Sequence, residues 1–429
     1  FFKQKTAYEM LRSLVGSEMC IRDSLSVLLL ASWGDLQNRD GHISLDIVPL
    51  LETVSDLENG PKIIKSLMEH EHYCDHLTIR KNKQTVMIGY SDSNKDSGIT
   101  SARWALQDAQ IALVKAASKY NNDLFLFHGR GGTISRGGGK THAAVLGSPP
   151  GTINGYLRVT EQGEIINEKY GLRGIALRTL EQATSSVILA SALPQNQKKD
   201  LPEWQTIMQV IAENSQKKYR NLLHQTPGFH EYFRQATPID LIEKMRIGSR
   251  PSSRNEDNNF ENLRAIPWVF AWTQNRYIVP GWYGFGSGIK AAIDQFGEES
   301  IHTMFHDWYF MKALLSDIEM VIAKVDLTIA NHYSALSDKW HPQFSQIIEE
   351  EFHLTRESIL TYSGNKNILD NDQTLQRAII LRNPYVDPMS LIQVDLLKRW
   401  RKTGRSDEAL FEALVASVNG IAQGLQNTG

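Results

Sequence analysis

Three short runs, Ser44 to Leu51 (SLDIVPLL), Gln84 to Tyr90 (QTVMIGY) and Asp123 to Phe127 (DLFLF), are near-continuously apolar and are separated by longer helical stretches. Strands of that kind are buried on both faces, as in a parallel sheet covered by helices. Between the second and third runs, Ser101 to Tyr120 carries Trp104, Leu106, Ile111, Leu113 and Val114 among polar residues, predicting the crossover helix that a parallel connection needs. Each run delivers polar groups at its C-terminal end: Glu52 after the first, Asp92 and Lys95 after the second, His128 and Arg130 after the third. In a β/α barrel the reactive groups occupy that rim. The expected fold is therefore an α/β barrel, TIM-barrel-like, within a predominantly α-helical chain.

Directly behind the third run lies FHGRGGTISRGGG, Phe127 to Gly139, with six glycines and two arginines in thirteen residues. Glycine lets backbone N–H groups approach oxygen ligands closely, and guanidinium adds a planar fork suited to phosphate or carboxylate. The segment is therefore read as an anion-binding loop rather than a flexible linker, which rarely sets arginines such as Arg130 and Arg136 among its glycines behind a buried strand. Gly139, Lys140 and Thr141 imitate the end of a P-loop, but that pattern needs a glycine where Ile134 stands. Pro149 and Pro150 would also stop a helix begun at Thr141 after about two turns. A nucleotide-phosphate enzyme is thus a lesser alternative.

The chain has 429 residues, 41% hydrophobic and 22% charged, enough for a large core. A net charge of −2 offers no electrostatic case for nucleic acid. The two cysteines, Cys20 and Cys74, make no disulfide framework and suit a reducing, cytoplasmic setting. Val27 to Trp33 is about half of a membrane span, and its flanks do not read as a secretory signal. Residues 1–24 differ in character from the rest and resemble translated adapter or vector sequence fused to a coding region; an ordinary N-terminal helix is the alternative, with a ragged apolar face.

Beyond about residue 173 helical periodicity dominates. Phe296 to Tyr333 reads as one long core helix through Met311, Leu314, Leu315, Ile318, Val321, Ile322, Val325 and Ile329. The last helix carries Leu410, Leu414, Val418, Ile421 and Leu425 on one stripe, with Ser406 as its expected N-cap. RIGSRPSSR, Arg246 to Arg254, gathers three arginines around a turn, and LRAIPWVFAWTQNR places Arg264 before an aromatic run. A lone arginine is more often a solvated surface group than a ligand. Ile266 to Phe270 would bury Arg264, however, and a buried guanidinium needs a carboxylate or an anionic ligand.

VMIGYSDSNKDSG, FHGRGGTISRGGG, PPGTINGYLRVTEQGE, IGSRP, LRAIPWVFAWTQNR, LRNPYVDP and the terminal QNTG together resemble the phosphoenolpyruvate carboxylase family, from about Leu25 to Gly429. The resemblance implies a mostly helical β/α barrel enzyme, usually a cytoplasmic homotetramer. Such an enzyme joins phosphoenolpyruvate and bicarbonate into oxaloacetate and phosphate with magnesium or manganese. It further implies Glu52 and Asp92 as metal carboxylates, although a salt-bridged or helix-capping carboxylate is the plain alternative for each. Lys95, Arg130, Arg136 and His128 would be catalytic, with His128 helping to place bicarbonate. Arg130, Arg136, Arg250, Arg264, Gly131 and Gly132 would bind substrate. Lys324, Arg382 and Asn427, with Arg136, would bind aspartate or malate as inhibitor.

On this reading residues 25–172 hold the C-terminal part of the barrel with the metal and phosphate loops. Residues 173–429 complete the site and carry the inhibitor positions. Members of the family are longer and have a catalytic histidine in a Thr-His-Pro-Thr context that does not occur here. They usually read SRPAKR where this chain has SRPSSR, which leaves Ser252 and Ser253 without the lysine's role. The chain is thus expected to be a C-terminal fragment, inactive alone. A stand-alone dicarboxylate-binding module is the alternative outside the enzymes.

Overall fold

The computed structural model describes residues 17–192, 201–245 and 262–426. Its strands are β1 (Leu50–Leu51), β2 (Lys83–Gly89), β3 (Asp123–Gly129) and β4 (Arg158–Val159), all parallel and ordered β1-β2-β3-β4. Leu51 is in register with Ile88, and Ile88 with His128. Among the described residues the sheet ends at β1 and β4, and no barrel closes. The expected α/β barrel therefore reduces here to a small parallel sheet within a mostly helical chain.

Of the run Ser44 to Leu51, only the last two residues form a strand. Pro49 has no N–H to give to a ladder, and only its carbonyl is used, accepting from Met87 at 2.8 Å. Upstream, exposed Asp46 is drawn into an ion pair with Arg80 at 2.7 Å. The second and third runs form β2 and β3 close to their expected bounds. The crossover helix runs Ile99–Ala117 and tightens into a 3₁₀ turn at Ser118–Tyr120.

Helix Val54–Glu69 begins immediately behind β1 with a reciprocal cap. Thr53 Oγ1 accepts the Asp56 N–H at 3.1 Å, while Asp56 Oδ2 accepts the N–H groups of Thr53 at 3.0 Å and Glu52 at 3.3 Å. That cap fixes the backbone of Glu52 at the strand end. Helix Ser17–Trp33 runs through the boundary drawn at residue 24, and Ile21, Leu25 and Leu28 pack against the core beneath the sheet.

Two bodies of core follow. One surrounds the sheet, with Leu51, Ile64, Leu67, Val86, Ile88, Leu113 and Leu126 buried. The larger is helical, built on Phe229, Tyr232, Trp268, Trp272, Trp282, Met311 and Ile318. The single helix expected over Phe296 to Tyr333 is three: Glu298–Asp307, Tyr309–Ile322 and Leu327–Ser334. Gly297, at φ +81°, starts the first, and Asp326 starts the last by accepting the Ile329 N–H at 2.9 Å. The apolar spacing runs on across both breaks because all three helices face one core. Helix Glu408–Leu425 is capped by Asp407, whose Oδ1 accepts the Leu410 N–H at 3.0 Å, rather than by Ser406, whose hydroxyl donates to the Thr403 carbonyl.

Candidate active site

The C-terminal ends of all four strands meet on one side of the sheet. Glu52 follows β1, half-buried, and Gly89 at the end of β2 lies so close that a Cβ there would stand 3.1 Å from the Glu52 Cα. Helix Ser91–Ser97 follows β2, carrying half-buried Asp92 in its first turn and buried Lys95 in its last. Lys95 Nζ donates to the Leu263 carbonyl at 2.5 Å, bringing it to the residue before Arg264. Arg264 sits ahead of helix Ala265–Gln274 at its N-cap position, so it is only half-buried rather than enclosed by the aromatic run.

His128, 5% exposed, occupies the end of β3 with Nδ1 2.9 Å from the Tyr90 hydroxyl. Burial, then the charge of Arg130, pulls its pKa down to about 4, so the imidazole is neutral at neutral pH. Burial pushes the Tyr90 hydroxyl up, keeping it protonated. Tyr90 can therefore donate to Nδ1, which leaves Nε2 as the N–H donor.

The glycine-rich segment is folded back on itself rather than slack. Arg136 N donates to the Thr133 carbonyl at 2.9 Å, and the Gly131 N–H donates to the Arg136 carbonyl at 2.6 Å. A Cβ on Gly138 would stand 2.3 Å from the Gly132 carbonyl oxygen. Only glycine permits that approach. Gly132 is half-buried within this coil. The two arginines are 7% and 3% exposed. Arg130 Nε donates to the Gly137 carbonyl and Nη2 to that of Gly138 at 3.2 Å. Arg136 reaches Ser91 Oγ at 3.4 Å and Gln162 Oε1, just beyond β4, at 2.8 Å.

Burial first and then the charge of Arg382 lower the Lys324 pKa to about 8, with Glu168 opposing. Arg382 Nε donates to the Ala378 carbonyl at 2.7 Å, while its buried Nη1 finds no hydrogen-bond partner. Two neighbouring cations with an unmatched N–H form a place where an anion would be stabilised. Arg250 and Asn427 lie outside the described residues, as do Ser252 and Ser253.

Sequence reasoning did not single out Tyr90, Arg103, Gln162 or Asp317. Asp317 carried a readable signal, since it lies on the same stripe as Leu314, Ile318 and Val321, where a carboxylate is out of place. Among the described residues no three His, Cys, Asp or Glu side chains converge as a metal cluster. Glu52 and Asp92, hard oxygen donors on adjacent strand ends, suit a cation such as Mg²⁺ that retains several waters. No described helix is long and apolar enough to cross a membrane.

The family model described as phosphoenolpyruvate carboxylase matches residues 2–429, a span that includes residues set apart at the N-terminus above. Proteins named phosphoenolpyruvate carboxylase from Xanthomonas oryzae pv. oryzae (strain MAFF 311018) and Xanthomonas campestris pv. campestris (strain 8004) are each 50% identical over 408 residues. Those alignments cover 95% of this chain and 45% of each relative. "Phosphoenolpyruvate carboxylase 2" of Chlamydomonas reinhardtii is 41% identical over 390 residues, 90% of this chain and 32% of that protein. The chain thus spans less than half the length of these relatives.

Proposed function

Because the chain belongs to the phosphoenolpyruvate carboxylase family, we propose that it supplies, within a longer protein, the metal and phosphate loops of an enzyme that makes oxaloacetate and phosphate from phosphoenolpyruvate and bicarbonate. The observation that carries this reading is the pair of buried guanidiniums, Arg130 and Arg136, held in a coiled glycine loop at the strand ends that also bear Glu52, Asp92, Lys95 and His128. Magnesium or manganese held by Glu52 and Asp92 would supply a Lewis acid for substrate oxygens.

In the reaction a bicarbonate oxygen attacks phosphorus as the bond to the enol oxygen breaks, leaving carboxyphosphate and the enolate of pyruvate. Carboxyphosphate then splits into carbon dioxide and phosphate, which keeps the bicarbonate proton, and the enolate carbon attacks the carbon dioxide. Charge moves at every step, and the fixed cations of Arg130, Arg136 and Lys95 favour the states in which it accumulates on phosphoryl and carboxylate oxygens. Half-buried Arg264 and, by family resemblance, Arg250 are assigned to the same anions. Neutral His128, its ring turned by Tyr90, offers Nε2–H to bicarbonate. The packed loop limits access of water to carboxyphosphate. Assembly into a closed β/α barrel and a cytoplasmic homotetramer belongs to the same proposal.

In a protein of the relatives' full length bearing this sequence, Arg136→Lys keeps charge but loses the planar fork. Turnover in a malate-dehydrogenase-coupled assay should fall on the order of a hundredfold to a thousandfold. Wild-type turnover in that variant would remove Arg136 from the site. The present chain alone should give no oxaloacetate.

Lys324 and Arg382 favour an attached regulatory reading, in which aspartate or malate bridges the two cations, with Asn427 and Arg136 completing the clamp. Titration calorimetry should find aspartate binding weakened at least tenfold in Arg382→Ala, with most of the uninhibited rate retained. Unchanged affinity would discard the clamp. Aspartate binding by this chain without any turnover in the full-length protein would favour a dicarboxylate-binding module instead.

A further inference from the structure

Against the glycine loop, beside Tyr90, lies a second charged cluster. Arg103 comes from the crossover helix and Asp317 from helix Tyr309–Ile322, 214 residues apart in sequence. Arg103 Nη2 donates to Asp317 Oδ2 at 2.8 Å and to the Gly138 carbonyl at 3.2 Å, and its guanidinium lies 5.5 Å from the Tyr90 ring centre. Both side chains are largely sheltered, at 13% and 16% exposure. Asp317 faces Gly139 so closely that a Cβ there would stand 2.4 Å from its Oδ1, and Gly139 holds φ +109°.

Arg130 meets the same Gly138 carbonyl from the strand side. Two guanidiniums therefore converge on one peptide oxygen. In a trans peptide the C=O and the following N–H point in opposite directions, so pinning the Gly138 oxygen turns the Gly139 N–H to the other side of the loop. A free carbonyl on that other side would repel a phosphate. Arg103 cannot perform this task as an uncompensated buried cation, and Asp317 supplies the opposing charge. The ring beneath Arg103 is also the one whose hydroxyl orients His128.

We propose that Arg103 and Asp317 are a positioning pair for the glycine loop: Arg103 holds the Gly138 carbonyl inward and Asp317 packs against Gly139, so that the loop is preorganised for a phosphoryl anion. The pair touches no substrate and acts through Gly138, Gly139 and Tyr90. It rests on the anion-binding reading of that loop given above.

The test uses this chain with Asp317→Asn, Arg103→Gln and Arg103→Lys, and inorganic phosphate as the probe. Amide hydrogen exchange over Gly131 to Gly139 should accelerate at least tenfold in Asp317→Asn and Arg103→Gln, while exchange in β2 changes little. Phosphate affinity by calorimetry should fall about tenfold in both, and Arg103→Lys should restore most of it, since an ammonium can still bridge carbonyl and carboxylate. If loop exchange and phosphate affinity match the unaltered chain in both variants, the pair does not position the loop. Arg103→Gln reaches the same contact from the helix flank should Asp317→Asn fail to fold. An unaltered chain that takes no phosphate would count against the proposed function, and the exchange comparison alone would then decide the positioning role.

Discussion

The thirteen residues of the glycine loop and the twenty of helix Arg173–Ala192 invert what their compositions suggest. The loop, six of its residues glycine, buries Ile134, Ser135, Arg130 and Arg136 and spends its carbonyls on guanidiniums. The helix, rich in leucine, isoleucine and alanine, buries only Ser186, while Leu177 is 56% and Ile188 59% exposed. Order in the loop comes from close backbone contact that any side chain would prevent, whereas the helix has apolar groups but little in this chain to set against them. An open groove of about 630 Å³ between that helix and the Gly155 to Leu157 loop makes the same point, since Leu157, Ala183, Val187 and Ile188 line it.

The contrast can be broken most sharply at Gly138. Gly138→Ala puts a methyl group against the Gly132 and Thr133 backbone, which cannot yield as a side chain would. The expected loss is about 3 kcal/mol or more by denaturant titration. Gly174→Ala in the bare helix meets nothing within 4 Å and should be neutral or stabilise by up to about 1 kcal/mol. Equal effects at the two positions would mean that the loop is not packed as described.

Next in size is a pH effect confined to the loop side. His128 has its pKa held down to about 4 by burial, against an ordinary value of 6.5. Between those values the unfolded chain binds the proton more readily than the folded one. The stability is therefore complete above about pH 6.5 and declines as pH falls towards 4, by up to about 3 kcal/mol from this residue. His128→Asn should flatten that part of a stability-versus-pH curve measured in urea, and an unchanged slope would refute the burial argument. The smallest effect belongs to the helix. Leu180→Glu should change stability by no more than about 0.5 kcal/mol while reducing self-association in sedimentation velocity.

Legibility in sequence followed the same division. β2 and β3 were readable because short apolar runs with polar ends have few other uses. So were the strand-end positions of Glu52, Asp92, Lys95, His128 and Arg130. The strand expected from Ser44 was not, because Pro49 limits pairing by a missing donor rather than by hydrophobicity. The breaks at Trp308 and Ala323 to Asp326 were hidden by a periodicity that answers to the shared core and not to helix ends. Arg103 and Asp317 were invisible as a pair, since their meeting depends on how the crossover helix and helix Tyr309–Ile322 pack. Arg136 was legible as a cation in a glycine loop, but its bonds to Ser91 and Gln162 depend on the ends of β2 and β4 being neighbours of that loop.

Asp372 has two attachments at once. Its Oδ1 accepts the Leu375 N–H at 3.2 Å and so caps helix Gln373–Lys402, while its Oδ2 accepts from Lys140 at 2.7 Å, one residue past the glycine loop. Through that one carboxylate, fraying of the first turn of a thirty-residue helix and release of the loop's trailing end favour one another. Fraying of the helix's first turn should therefore loosen the residues around Lys140, though more than two hundred residues separate them along the chain.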